Sequence, residues 1–139
     1  MGRINSYKDL PAWQRAMELA GLCFRIADGT PRRQMRGAAT QLLEAADSVH
    51  LNIAEGYGRP TTPDYLKFLG ASEGSLREVE SNLLNLERNR GVCGPLMNQA
   101  LALCDECGRL LYSLQRSVQA YMDGQPKRTR FRSGPTPDP

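Results

Sequence analysis

The sequence has little of what catalytic, metal-binding or secreted proteins depend on. It contains one histidine, one tryptophan and four cysteines in 139 residues, and so few cysteines cannot form a disulfide scaffold. No apolar run approaches the roughly 20 residues of a membrane helix, and the N-terminus lacks the apolar segment of a secretory signal. These absences predict a cytoplasmic protein with reduced thiols and no membrane association.

Charge is distributed unevenly along the chain. The net charge is +3, yet residues 1–123 carry as many acidic as basic side chains. The excess therefore lies in residues 124–139, which include Lys127, Arg128, Arg130 and Arg132 together with four prolines and two glycines. This composition predicts one domain over residues 1–123 and a disordered basic tail over 124–139. The tail either binds polyanions such as RNA without sequence preference or only increases solubility.

Apolar residues recur every three or four positions in four long stretches, which is typical of amphipathic helices. The predicted helices span residues 10–27, 33–55, 62–90 and 95–122. Asp9 and Thr62 are the expected N-caps of the first and third. No stretch alternates with a period of two, and the connections are short. The sequence therefore predicts an all-α, up-down-up-down antiparallel four-helix bundle.

The spacing also predicts which helix faces are buried. In the first helix it assigns the core to a stripe of Leu10, Trp13, Met17, Ala20, Phe24 and Ala27, which Leu19, Leu22, Cys23 and Ile26 broaden. The other residues expected in the core are Leu42, Val49, Leu69, Leu76, Leu83, Leu103 and Leu110. In the third helix Gly70 and Gly74, together with Ala71, Ser72 and Ser75, form a small-residue face that favours close approach of another helix. That helix could belong to the same chain or to a neighbouring subunit.

Polar side chains border the predicted core of the second and third helices. Ser48, Asn52 and Glu55 share one face of the second helix, and Ser75 and Glu78 are their candidate partners on the third. Polar groups beside a core require hydrogen bonds. They are interpreted as a structural polar network that fixes helix register. The alternative is a contact to a ligand or RNA near Arg59.

The sequence provides little support for catalysis, and no cofactor or metal is expected. Asp47 and His50 have the spacing of half a di-iron site, but the second histidine is missing. Cys104 and Cys107 form a CxxC pair within a helix, where a zinc site would need two further ligands. A small metal- or thiol-dependent protein that uses Cys104, Cys107 and His50 is the alternative function.

Three arginines, Arg32, Arg33 and Arg36, lie where the second helix is predicted to begin. Positive charge at a helix N-terminus opposes the helix dipole. The cluster is therefore either plainly solvent-exposed or placed there to bind an external anion. With Arg59 and the four basic residues of the tail, it makes up the predicted nucleic-acid-binding set.

Several motifs resemble one bacterial family. The segments are residues 10–16 (LPAWQRA), 41–49 (QLLEAADSV), 52–59 (NIAEGYGR) and 74–80 (GSLREVE). They resemble the four-helix bundle proteins encoded by intervening sequences of large-subunit ribosomal RNA genes. That family also includes the accessory variability protein of diversity-generating retroelements. The resemblance covers about residues 10–114.

The resemblance implies a function as well as a fold. It implies a homopentameric ring, no enzymatic activity and, in the retroelement branch, binding to nucleic acid and a reverse transcriptase. This chain departs from the family pattern at Leu43-Glu44, where members often carry two basic residues, and at His50, where they often have proline. The first departure removes positive charge from the second helix. Nucleic-acid binding would then depend on the arginines named above and on the tail.

Overall fold

The computed structural model describes residues 3–124, and all the regular structure in this range is helical. The predicted tail lies outside the described residues except for Gly124. A short 3-10 turn, Tyr7–Asp9, precedes five α-helices, of which four are long. Their bounds are α1 Pro11–Gly29, α2 Arg32–Met35, α3 Ala38–Tyr57, α4 Thr62–Arg90 and α5 Pro95–Asp123. The all-α prediction is confirmed for this part of the chain.

The bounds of α4 and α5 agree closely with the prediction because strong local signals mark them. Thr61 rather than Thr62 is the N-cap of α4, and its hydroxyl accepts a hydrogen bond from the Asp64 amide at 3.3 Å. Gly91 ends the helix in the left-handed conformation, with φ of 69°. A glycine adopts this conformation without the steric cost that a Cβ brings. Asp9, the predicted cap of α1, instead accepts a hydrogen bond from the Asn5 amide.

The predicted second helix is broken near its start, which is a correction to the sequence analysis. Arg36 and Gly37 both have positive φ, at 33° and 75°. They separate the single turn of α2 from the long helix α3. Arg32 and Arg33 therefore belong to α2 and do not lie on the N-terminal turn of a long helix. The argument from the helix dipole does not apply to them.

The buried face of α1 agrees with the prediction only in part, because Leu19, Cys23 and Ile26 are buried but Met17 and Phe24 are not. The core side consists of Ala12, Ala16, Leu19, Cys23 and Ile26. Met17 and Phe24 are 41% and 57% exposed, and Trp13 is half-buried. The helix has apolar residues on two faces. Small residues such as Ala12 and Ala16 let the neighbouring helices pack more closely against the face that carries them. In α5, Leu110 is half-buried and the neighbouring Leu111 is fully buried.

Each long helix packs against two others, and α3 and α4 form the most extensive pair. The apolar faces of the four long helices meet in one core. Its fully buried residues include Leu42, Val49, Leu69, Leu83 and Leu111. An ion pair at 2.8 Å between Arg15 Nε and Glu106 Oε2 links α1 to α5 at the surface. Within residues 3–124, no helix has the length and hydropathy required to cross a bilayer.

Candidate nucleic-acid interface and polar seam

Exposed arginines surround a shallow depression at one end of the molecule. Arg33, Gln34, Arg36, Asn89 and Arg90 line it, and its volume is about 320 Å³. Arg33 and Arg36 are exposed, as is the adjacent Arg32. Among the ion pairs of the described residues, none includes these three arginines. Three guanidinium groups without an acidic partner provide a local positive field for an anion.

Arg90, at the C-terminal end of α4, holds this basic surface in place. Its Nη1 donates to the backbone carbonyl of Gln34 at 3.2 Å, to that of Met35, and to that of Arg36 at 3.4 Å. In return, Gln34 Nε2 donates to the Arg90 carbonyl at 2.9 Å. The sequence analysis missed this role, because the partners are 54 to 56 residues away in the chain.

Arg59 is engaged within the protein and lies apart from the depression. Its Nη2 is 2.7 Å from Glu55 Oε2. The centre of its guanidinium lies 4.5 Å from the centroid of the Phe68 ring, a cation–π distance. The structure thus places Arg59 and Glu55 in a local pair between the end of α3 and the start of α4.

The polar seam between α3 and α4 contains three of the five residues predicted for it. Ser75 Oγ donates to Ser48 Oγ at 3.0 Å, and Asn52 Nδ2 donates to the Ser48 carbonyl and hydroxyl oxygens at 2.8 and 3.0 Å. Glu78 lines a separate depression beside Ser48 and Ser75 but takes no part in these hydrogen bonds. Glu55 is absent from the seam because it points to solvent beside Arg59.

Ser72 is a member of this seam that the sequence analysis missed. It is fully buried, and its hydroxyl donates to the Val49 carbonyl at 2.6 Å across the helix pair. A serine that follows the apolar spacing of α4 was assigned to the small-residue face. The bond to α3 depends on the distance between the two helices, which local spacing does not reveal.

We expect Ser72→Ala to reduce the free energy of unfolding by about 1 kcal/mol, because one buried interhelical hydrogen bond is lost. The measurement is urea denaturation followed by circular dichroism. Ser81→Ala is the matched control, since Ser81 is exposed on the same helix, and it should change stability much less. Equal effects of the two variants would contradict a stabilising role for the Ser72 bond.

The thiols and the histidine do not form a metal site in the described residues. Cys23, Cys104 and Cys107 are buried. Burial raises the pKa of Cys23 and of Cys107 to about 12 and also raises the pKa of Cys104. They are therefore protonated at neutral pH and are poor nucleophiles. His50 lies 3.6 Å from Asp47, and residues 3–124 contain no metal-binding group of three or more His, Cys, Asp or Glu side chains.

A comparison with known protein families gives a match that covers the motifs described in the sequence analysis. The family model described as 23S rRNA-intervening sequence protein matches residues 8–113. The match includes the arginine depression, the polar seam and the Glu55–Arg59 pair, and it confirms the resemblance found in the sequence. The basic tail lies beyond it. A comparison with curated proteins finds no match.

Proposed function

The chain belongs to the 23S rRNA-intervening sequence protein family, and we propose that it is a non-catalytic helical scaffold that binds RNA. The observation that carries this proposal is the arginine depression, which Arg33 and Arg36 line beside Arg32; all three are exposed and have no acidic partner within residues 3–124. Phosphate contacts from such side chains provide affinity without sequence preference. The basic tail adds four further cations that can contact phosphates.

The geometry supports RNA binding at this end through its rigidity as well as its charge. Arg90 and Gln34 fix the backbone of α2 to α4 with four hydrogen bonds. The arginines therefore project from a constrained turn, and binding costs less conformational entropy than it would from a flexible loop. Arg59 contributes less to the proposed interface, because its charge is already paired with Glu55.

The test is a titration of a labelled single-stranded oligouridylate at two salt concentrations. We expect the triple variant Arg32→Gln/Arg33→Gln/Arg36→Gln to bind about tenfold more weakly. Its salt slope should fall by about 2, since each lost single-strand phosphate contact contributes about 0.7. Deletion of residues 125–139 should weaken binding further and flatten the slope.

A matched control separates the depression from the overall charge. Arg25→Gln/Arg109→Gln/Arg116→Gln removes the same charge from exposed positions on α1 and α5. It should retain most of the affinity, because these arginines lie outside the depression. Equal loss in the two triple variants would assign binding to net charge alone. Unchanged binding in the depression variant would contradict the proposed interface.

The proposal extends to assembly and partners. We infer from the family resemblance that the four long helices form an up-down-up-down bundle and that copies of the chain assemble into a homopentameric ring. If the chain belongs to the retroelement branch, a reverse transcriptase would be its protein partner. Light scattering tests the assembly, and a mass near the 15.4 kDa of one chain would contradict it.

A further inference from the structure

Helix α1 carries a second apolar stripe, of which Met17 and Phe24 are exposed while Trp13 and Ala20 are half-buried against the protein's own core. The stripe consists of Trp13, Met17, Ala20 and Phe24, which are spaced four, three and four residues apart and so share one side of the helix. Phe24 is 57% exposed and Met17 41%. A run of large apolar side chains at the surface typically marks contact with another protein.

Acidic residues border this stripe. Asp28 is exposed one helical turn beyond Phe24. Arg15, which pairs with Glu106 of α5, lies across the helix from the stripe, so the stripe faces the α3 side of α1. Asp47 belongs to α3, the helix that packs against α1 on this side. Its side chain is 62% exposed.

A second surface on α4 has the opposite properties. Lys67, Gly70, Gly74 and Arg77 are spaced three, four and three residues apart, and we call them the glycine surface. A Cβ at Gly70 or Gly74 would meet no heavy atom within 4 Å. No helix of the described chain approaches these glycines, although a glycine in a helix interior costs about 1 kcal/mol relative to alanine. The Arg77 side chain is 70% exposed.

We propose that the apolar stripe of one copy of this chain packs against the glycine surface of a second copy. Large side chains such as Phe24 fit where Gly70 and Gly74 present no side chain. The carboxylates of Asp28 and Asp47 are opposite in charge to Lys67, whereas Arg77 already has a partner on its own helix in Glu73, at 3.6 Å. From the sequence, the helix that approaches the glycine surface could belong to the same chain or to a neighbouring subunit. The proposal assigns it to the neighbouring subunit.

This pairing is heterologous, because the two surfaces are different and lie on different helices. Each contact therefore leaves one stripe and one glycine surface available, so that subunits add until a ring closes. The inference rests on the assembly proposed above and specifies the surfaces that produce it. It also predicts that higher salt weakens the contact, since exposed charge pairs are screened.

The test uses two single variants of the full chain. Phe24→Asp places a charge in the stripe, and Gly74→Glu adds bulk and a negative charge to the glycine surface. We expect each to reduce the mass in light scattering to the 15.4 kDa of one chain. Both positions are away from the core, so the helical circular dichroism signal should not change.

Mixing the two variants identifies the pairing. The Gly74→Glu variant keeps an intact stripe and the Phe24→Asp variant keeps an intact glycine surface, so an equimolar mixture should form dimers and nothing larger. A mixture that stays monomeric would overturn the heterologous pairing. Retention of the wild-type mass by either single variant would overturn the assignment of that surface.

Tyr112→Asp on α5 is the control, because Tyr112 has the same 57% exposure as Phe24. It should keep the wild-type mass, and dissociation of this variant as well would overturn the assignment to α1. A monomeric wild type would contradict the assembly itself. An assembled wild type together with an assembled Phe24→Asp variant would contradict only the surfaces.

Discussion

Replacement of Leu83 with aspartate is expected to leave the protein unfolded. Leu83 has zero exposure in the core that α4 shares with its neighbours. Removal of a buried leucine side chain costs about 2–5 kcal/mol, and an unpaired buried carboxylate adds several more. The sum is comparable to the about 5–15 kcal/mol by which a typical domain is stable.

Circular dichroism at 25 °C measures the outcome as loss of the helical signal and of a cooperative thermal transition. Leu83→Met is the control. It conserves volume and should cost less than about 1.5 kcal/mol, so that the protein remains folded. A Leu83→Asp protein with wild-type helicity would mean that this side of α4 is not in the core. The arrangement of the helices would then need revision.

The sequence predicts best those helices that have a clear start signal and a clear stop signal. In α4, Pro63 near the start and Gly91 at the end act locally, so their effect is independent of the rest of the fold. Gly37 carries a similar signal inside the predicted second helix, where a continuous apolar spacing on either side obscured it. The turn with positive φ angles at Arg36 and Gly37 is followed by a tertiary contact that local sequence does not reveal, from Arg90 Nη1 to the Arg36 carbonyl at 3.4 Å.

The buried face of α1 could not be chosen from spacing alone. Two apolar faces are available, and the stripe with Trp13 and Phe24 has the larger side chains. The fold instead buries the face with Ala16, because the other long helices come close to it. A sequence pattern measures how apolar a face is, but only the complete set of contacts determines which face is covered within the chain and which is left for a partner.

In the candidate site, too, the sequence predicts the local features but not the contacts between distant residues. Clustering of Arg32, Arg33 and Arg36 is visible in the sequence because it is local. The seam of Ser48 and Ser75 was predictable because both residues border apolar stripes. Arg90 escaped prediction because an arginine among alternating acidic and basic residues of a helix has an ordinary explanation in solvated i, i+4 pairs. Its actual partners are backbone carbonyls of a distant turn.

Gly56 provides the most specific test of how closely α3 and α4 pack, because here the usual effect of alanine should reverse. Glycine is less favourable than alanine within a helix by about 1 kcal/mol, so Gly→Ala normally stabilises. A Cβ at position 56 would lie 2.8 Å from Phe68 Cβ and 3.1 Å from Tyr65 Cδ1. Both distances are shorter than an ordinary van der Waals contact.

We therefore expect Gly56→Ala to reduce the free energy of unfolding by about 1–3 kcal/mol, the usual cost of overpacking. Gly21→Ala is the matched control, because Gly21 lies within α1 and its Cβ would meet no heavy atom within 4 Å. That variant should gain up to about 1 kcal/mol. Urea denaturation at one protein concentration gives both values. A stabilised Gly56→Ala protein would show that the helices separate here at little cost, and that Gly56 is not required for the approach of α4 to α3.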